Sequence, residues 1–212
     1  MGKKVLLFIA LLGVTLFGFG QPFTELLPKT RVGMTAAINY TMLAGSELKN
    51  PRPKTASALG FAVRQKLGKQ LQMTAESNVS FSGSRFANGK TDSYYLMKFV
   101  RVNLPLSLML NIDGENQKKF ITAGIDGSYI LRSEIYVRPN DVKPTFVNYG
   151  FKRFDLAATL GVHLDYQFFG IRPSIRMGLL NLNNGLKMEN IFPATGNNGT
   201  IKHVGFDVQV YF

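Results

Sequence analysis

The sequence has no cysteine, no tryptophan and only two histidines, and it carries 13 acidic residues against 25 basic ones. Without cysteine there is no disulfide scaffold, no thiol nucleophile, no cysteine-based zinc site and no N-terminal lipoprotein anchor. With two histidines, a zinc site would have to rest on carboxylates, and no carboxylate cluster offers one. Charged residues make up only 18% of the chain and apolar ones 45%, which excludes a disordered polar polymer. What is abundant is glycine, with 21 residues, and phenylalanine, with 17. The 212 residues suffice for one domain, or two small ones, with a real core.

One apolar run is long, and it comes first. Met1–Lys4 is a short basic start, and Val5–Phe19 is almost wholly apolar. Gly18 and Gly20 stand at −3 and −1 relative to Gln21. This order reads as a secretory signal peptide over 1–20, leaving 21–212 as the mature domain. An anchor helix would need about 20 apolar residues, more than this run supplies. Removing Lys3 and Lys4 lowers the formal charge from +12 to +10.

The remainder alternates. Successive strand side chains point to opposite faces, so a strand with one apolar face shows period two. Eight windows do so: 31–42, 57–67, 70–82, 98–111, 120–131, 153–168, 171–180 and 201–212. Val32, Met34, Ala36, Ile38, Tyr40 and Met42 line one face of the first, and Val204, Phe206, Val208, Val210 and Phe212 one face of the last. The connections alternate as well. Those at 44–56, 83–97, 132–152 and 181–200 are long; those at Gly68–Lys69, Asp113–Lys119 and Phe169–Gly170 are short. Long outer loops, short periplasmic turns and an even strand number are the pattern of a transmembrane β-barrel.

A secreted lipocalin-like barrel would also show eight alternating strands, with its apolar face turned inward. Three features favour the membrane. The polar face is rich in small residues (Gly33, Ala37, Ala58, Gly60, Ala62, Gly124, Gly161, Gly178, Gly205), which suit a crowded lumen. Aromatics cluster near strand ends: Tyr40, Phe81, Tyr95 and Phe154 toward the long loops, Phe120, Tyr166, Phe168, Tyr211 and Phe212 toward the short turns. Such clusters read as interfacial girdles. The last window closes on an aromatic of its apolar face.

Four segments resemble the PorT-like outer-membrane β-barrel family: Phe99–Leu108 with its internal Pro105, Phe120–Leu131, Phe154–Val162 with its Phe-Asp start, and Ile175–Leu182 with Arg176-Met-Gly-Leu. The resemblance runs over most of 30–212. It implies an eight-stranded antiparallel up-and-down barrel of the OmpA/OmpX type in the cell outer membrane. One founding relative serves a protein secretion system, and no functional residues carry over.

The polar faces hold charges of both signs: Arg31, Arg64, Lys66, Glu76, Arg101, Asp126, Asp155, Asp165, Arg172, Arg176 and Asp207. An eight-stranded barrel is just wide enough for side chains to fill it, so these groups are expected to pair as a plug rather than line a pore. His163 shares a face with Asp155 and Asp165, and His203 lies near Thr200; either could in principle serve a hydrolase, given a nucleophile in contact. Gly83–Thr91 has five residues between its glycines where a phosphate loop needs four, and no helix follows. The basic residues Lys49, Arg52, Lys54, Arg85, Lys90, Arg138, Lys143, Lys152, Arg153 and Lys187 lie in or beside the long loops. At an outer leaflet they would face lipopolysaccharide phosphates rather than nucleic acid, or serve only to keep exposed loops soluble.

The reading is an all-β outer-membrane barrel of structural or interaction type, accessory to protein secretion or surface adhesion. No catalytic, cofactor-binding or metal-binding residue is assigned. The expected partners are outer-membrane lipids and lipopolysaccharide, the barrel assembly machinery, and secretion or surface proteins. The alternative is a lipid-modifying barrel enzyme.

Overall fold

The computed structural model describes residues 30–45, 51–87, 94–116, 118–138, 145–146, 151–184 and 200–212. The leader expected at 1–20 lies outside the described residues. Nine strands form one antiparallel sheet: β1 (Thr30–Ala44), β2 (Pro51–Lys66), β3 (Leu71–Ala87), β4 (Tyr94–Asn111), β5 (Lys119–Arg138), the two-residue β6 (Thr145–Phe146), β7 (Phe154–Asp165), β8 (Gly170–Gly178) and β9 (Lys202–Tyr211). Each long strand pairs with its sequence neighbours, and β1 pairs with β9 from Thr35↔Tyr211 to Ala44↔Lys202. β5 takes β4 on one edge and β7 on the other, while β6 adds to it only at Glu134 and Ile135. The result is a closed eight-stranded barrel with β6 as an appendage. Pairing of β1 with β9 closes the sheet, so no edge is left open within the belt, as hydrocarbon requires.

The expected eight strands are present, and their facing follows the alternation. Val32, Met34, Ile38, Leu59, Phe61, Leu108, Ile125, Leu160, Ile175 and Phe206 are exposed on the outside. Thr35, Asn39, Thr74, Glu76, Asn78, Asn103, Asp126 and Asp207 are buried inside. A polar interior wrapped in an apolar exterior is the inverse of a lipocalin and would be an intolerable patch in water. The small residues have the expected cause. A Cβ on Gly60 would come within 2.8 Å of Asn78 Cβ, and one on Gly161 within 2.7 Å of Ser174 Cβ.

Two expectations need correction. Phe120 and Tyr211 do not belong to a lipid-facing girdle: both are buried and point inward. Each stands one residue from an outward neighbour, Ile121 and Phe212, so strand parity turns it into the lumen. Tyr166, Phe168 and Phe212 remain exposed at the short-turn end, and Tyr40, Phe81 and Phe154 at the other; the Tyr95 side chain lies outside the described residues. The long connections are also shorter than the alternation suggests. Residues 51–56, 83–87, 94–97 and 132–138 are strand. The register slips by one residue between Pro53 and Ala58 on β2 and at Leu131 on β5, which is passed over between the pairs Val100↔Arg132 and Arg101↔Ile130. Beyond each bulge the parity changes, so a single period no longer fits the strand.

Leu160 sits mid-strand between Ala123 and Ile175 and is 53% exposed. Leu160→Arg is therefore expected to cost about 2–4 kcal/mol in a lipid folding assay, the range for a cation at the bilayer midplane. Leu160→Ala should cost clearly less. Equal tolerance of both would overturn the facing of β7.

Candidate functional site: the barrel lumen and its rims

Inward side chains from opposite walls meet across the lumen and pair in tiers. Nearest the short turns, Arg64 Nη1 donates to Asp165 Oδ2 at 2.7 Å and Oδ1 at 2.9 Å. His163 Nε2 lies 2.7 Å from Asp165 Oδ1 and 2.8 Å from Arg64 Nη2, so its tautomer decides which of the two it bonds. Above this, Glu76 is a hub. Arg172 Nη2 reaches Glu76 Oε1 at 2.6 Å, Tyr211 Oη donates to Oε1 at 2.8 Å, and Gln209 Nε2 donates to Oε2 at 2.6 Å. The Arg172 and Arg64 guanidinium groups also lie 5.1 and 5.6 Å from the Tyr211 ring centre. Higher still, Arg176 bridges Asp126 at 3.0 Å and Asp207 at 3.1 Å. Arg101 pairs with Asp155 at 3.0 Å toward the long-loop end.

Most of the expected lumen charges thus come together. Arg31 is instead exposed at the short-turn mouth and Lys66 half-buried there. His163 shares a face with Asp155 but pairs only with Asp165. Eight residues of strand, about 26 Å at ~3.3 Å per residue, separate it from Asp155. Sequence reading did not find Gln209 and Tyr211 as partners of the buried charges, although the parity of Tyr211 carries that signal.

At mid-barrel, Asn39, Asn78, Asn103, Arg172, Arg176 and Asp207 surround a cavity of about 20 Å³, room for roughly one water. A wider cavity of about 330 Å³ opens at the short-turn mouth beside Arg31, Arg64, Asp165, Tyr166 and Phe168. The paired tiers above that mouth make a plug.

The histidines are poorly placed for hydrolysis. The His163 Nε2 atom meets Asp165 and Arg64 and bonds one or the other, not a hydroxyl. His203 is buried with neither ring nitrogen bonded among the described residues, while Thr200 is exposed. No group of three metal-ligating side chains occurs among the described residues.

Toward the long loops the interior changes character. Leu43, Phe86, Met97, Phe99, Phe151, Leu182 and Ile201 are buried there, with Phe99 and Phe151 edge to face at 5.1 Å. Leu182 N donates to Ile201 O and Lys152 N to Leu182 O. Outside, Arg52, Arg85, Arg132, Lys152 and Arg153 are exposed. Apolar inside and charged outside is the ordinary arrangement of protein in water. Of the other rim cations, Lys49, Lys90, Lys143 and Lys187 lie outside the described residues, as does the Arg138 side chain.

A closed eight-stranded barrel with an apolar belt and an ion-paired lumen is an outer-membrane β-barrel. The family model for the outer membrane protein beta-barrel domain matches residues 19–184, and the chain belongs to that family. It resides in the outer membrane. Among solved structures, Neisserial surface protein A is similar at 10% identity and TM-score 0.51, over 86% of this chain and 97% of that one. The attachment invasion locus protein Ail of Yersinia pestis aligns at 10% identity and TM-score 0.48, over 85% and 95%, and OprG of Pseudomonas aeruginosa at 12% and 0.34, over 84% and 92%. At these identities the likeness concerns the fold. No curated protein matches the chain significantly.

Proposed function

We propose that this barrel is a non-enzymatic interaction protein that holds a rigid sheet above the outer leaflet for a protein partner. The observation that carries the reading is the reversal of polarity along β2–β5. A membrane strand needs about 9–11 residues, whereas β3, β4 and β5 have 17, 18 and 20. β5 continues through 130–138, past its last partner on β7 at Tyr129. The excess length has its own apolar core and a charged exterior, as a water-exposed platform requires. The plugged lumen supports an interaction role over transport, and histidines turned into the lumen support it over lipid modification.

The PorT-like resemblance favours an accessory of protein secretion as the finer role, with surface adhesion as the other member of the same class. The barrel assembly machinery would insert the chain. A deletion strain, complemented with a chain in which Gly83 and Lys98 are joined by a short turn, tests this. The shortened barrel is expected to reach the outer membrane, read by heat-modifiable mobility, and to fail to restore surface-protein secretion or attachment. Full restoration would sink the proposal, and so would a changed lipid profile in the deletion strain.

A further inference from the structure

The basic residues at the foot of this platform project sideways from the outer wall, next to the apolar belt. On β3, Val79 and Phe81 are exposed to lipid, and the next outward positions are Gly83 and Arg85. On β4, Lys98 follows Val100 on the outward face, opposite Gly83. The bulge between Pro53 and Ala58 brings Arg52 opposite Arg85. A Cβ on Gly83 would lie 3.3 Å from Lys54 Cδ, so the Lys54 stem lies across the bare Gly83 backbone. Four cations, Arg52, Lys54, Arg85 and Lys98, therefore gather on the outer wall one strand step above the apolar belt.

Like charges placed directly opposite are destabilising. Burial first, then the charges of Lys98 and Arg85, hold the pKa of Lys54 below the ordinary lysine value; this residue lies beyond the belt, which begins on β2 at Leu59. One carboxylate shares this face: Glu134 lies opposite Lys98 in the β4–β5 register, pairs with Arg132 and accepts from Tyr136 Oη at 2.7 Å. Lys98 Nζ sits 4.3 Å from the Tyr136 ring centre. Among the described residues, no carboxylate pairs with Arg52, Lys54 or Lys98.

We infer that this ledge is a binding site for the phosphate groups of outer-leaflet lipid, of the bisphosphorylated lipopolysaccharide-anchor type. Height and direction together select the ligand. The cluster faces outward from the wall, at the level where headgroups meet acyl chains, and Phe81 and Val100 beneath it offer the chains an apolar surface. Arginine supplies bidentate contacts to phosphate and lysine a point charge. An extracellular polymer would be read from the top of the platform instead. The inference rests on the placement of the platform above the outer leaflet, but not on the platform having a protein partner.

The test uses the full-length folded barrel in phosphatidylcholine vesicles, with bisphosphorylated lipid A, its dephosphorylated form, or inorganic phosphate at matched concentration. Lipid A is expected to raise the unfolding midpoint and to stay bound through purification, while the other two do neither. Arg52→Gln/Lys54→Gln/Lys98→Gln should weaken retention by on the order of tenfold or more, the scale for three cations beside anionic headgroups. Lys69→Gln/Lys118→Gln/Lys119→Gln removes the same charge at the opposite end and should retain lipid as the parent does. Equal loss in both triple variants, no loss in the first, equal retention of dephosphorylated lipid, or displacement by inorganic phosphate or a sulfated polysaccharide would each overturn the inference. The readout is independent of secretion and attachment, so failure here is separable from failure of the interaction role.

Discussion

Replacing Glu76 with alanine should destabilise the barrel by about 3–5 kcal/mol, the cost of leaving a buried charge without its partner. Glu76 takes Arg172, Gln209 and Tyr211 on its two oxygens, and both it and Arg172 are buried. Removing the carboxylate leaves the guanidinium with Gln209 Oε1 at 2.6 Å and a ring face, neither of which carries a countercharge. Removing both partners should cost much less, because apolar replacement of a buried pair is often close to neutral. Urea-driven unfolding in lipid vesicles of Glu76→Ala, Arg172→Leu and a Glu76→Leu/Arg172→Leu double variant reads this directly. If the double variant costs as much as the sum of the two single substitutions, the pair is not the unit of stability and the plug has been misread.

The belt was legible because lipid imposes a rule on every other residue. From Val32 to Ile38 and from Val204 to Phe212, each outward position meets hydrocarbon, so period two survives intact. The platform was not legible in the same way. Above Val100 and Leu59 the exterior turns polar, and the apolar side chains move inward to Met97, Phe99 and Leu43. With the bulges, that inversion makes strand look like loop. The lumen was legible as a set of charges but not as pairs. Parity puts Asp155 and Asp165 on one face, but only the three-dimensional register sends the first to Arg101 and the second to Arg64, 54 and 101 positions away in sequence. The cationic ledge joins residues from three strands through a bulge, and Lys98 lies within a window that reads as membrane strand.

Truncation before Tyr211 should abolish insertion while leaving export across the inner membrane intact. The two residues act on different faces of the same closure. Phe212 N donates to Met34 O at 3.0 Å and Met34 N to Phe212 O at 3.2 Å, the pair of bonds that seals β1 to the end of β9. Tyr211 extends the ladder to Thr35 on one side and Gly170 on the other. Inside, its hydroxyl donates to the Glu76 hub, and its ring stands 5.0 Å from His163. Outside, Phe212 is 68% exposed at the level of the short turns, where an aromatic anchors a strand to the interface. Loss of both opens a seam in the sheet, removes a hydrogen bond from a buried carboxylate and takes away the anchor. An unpaired edge in hydrocarbon costs several kcal/mol per group, beyond what a barrel of this size can absorb. Frayed ends are dispensable in most soluble domains, so the experiment discriminates between the two situations. Phe212→Ala keeps the backbone bonds and should insert with reduced yield; Tyr211→Phe keeps the ladder and should insert but unfold at lower urea. Heat-modifiable mobility in the outer-membrane fraction, with periplasmic degradation products followed in parallel, decides the outcome, and normal amounts of folded, embedded truncated protein would show that the seam between β1 and β9 does not hold the barrel closed.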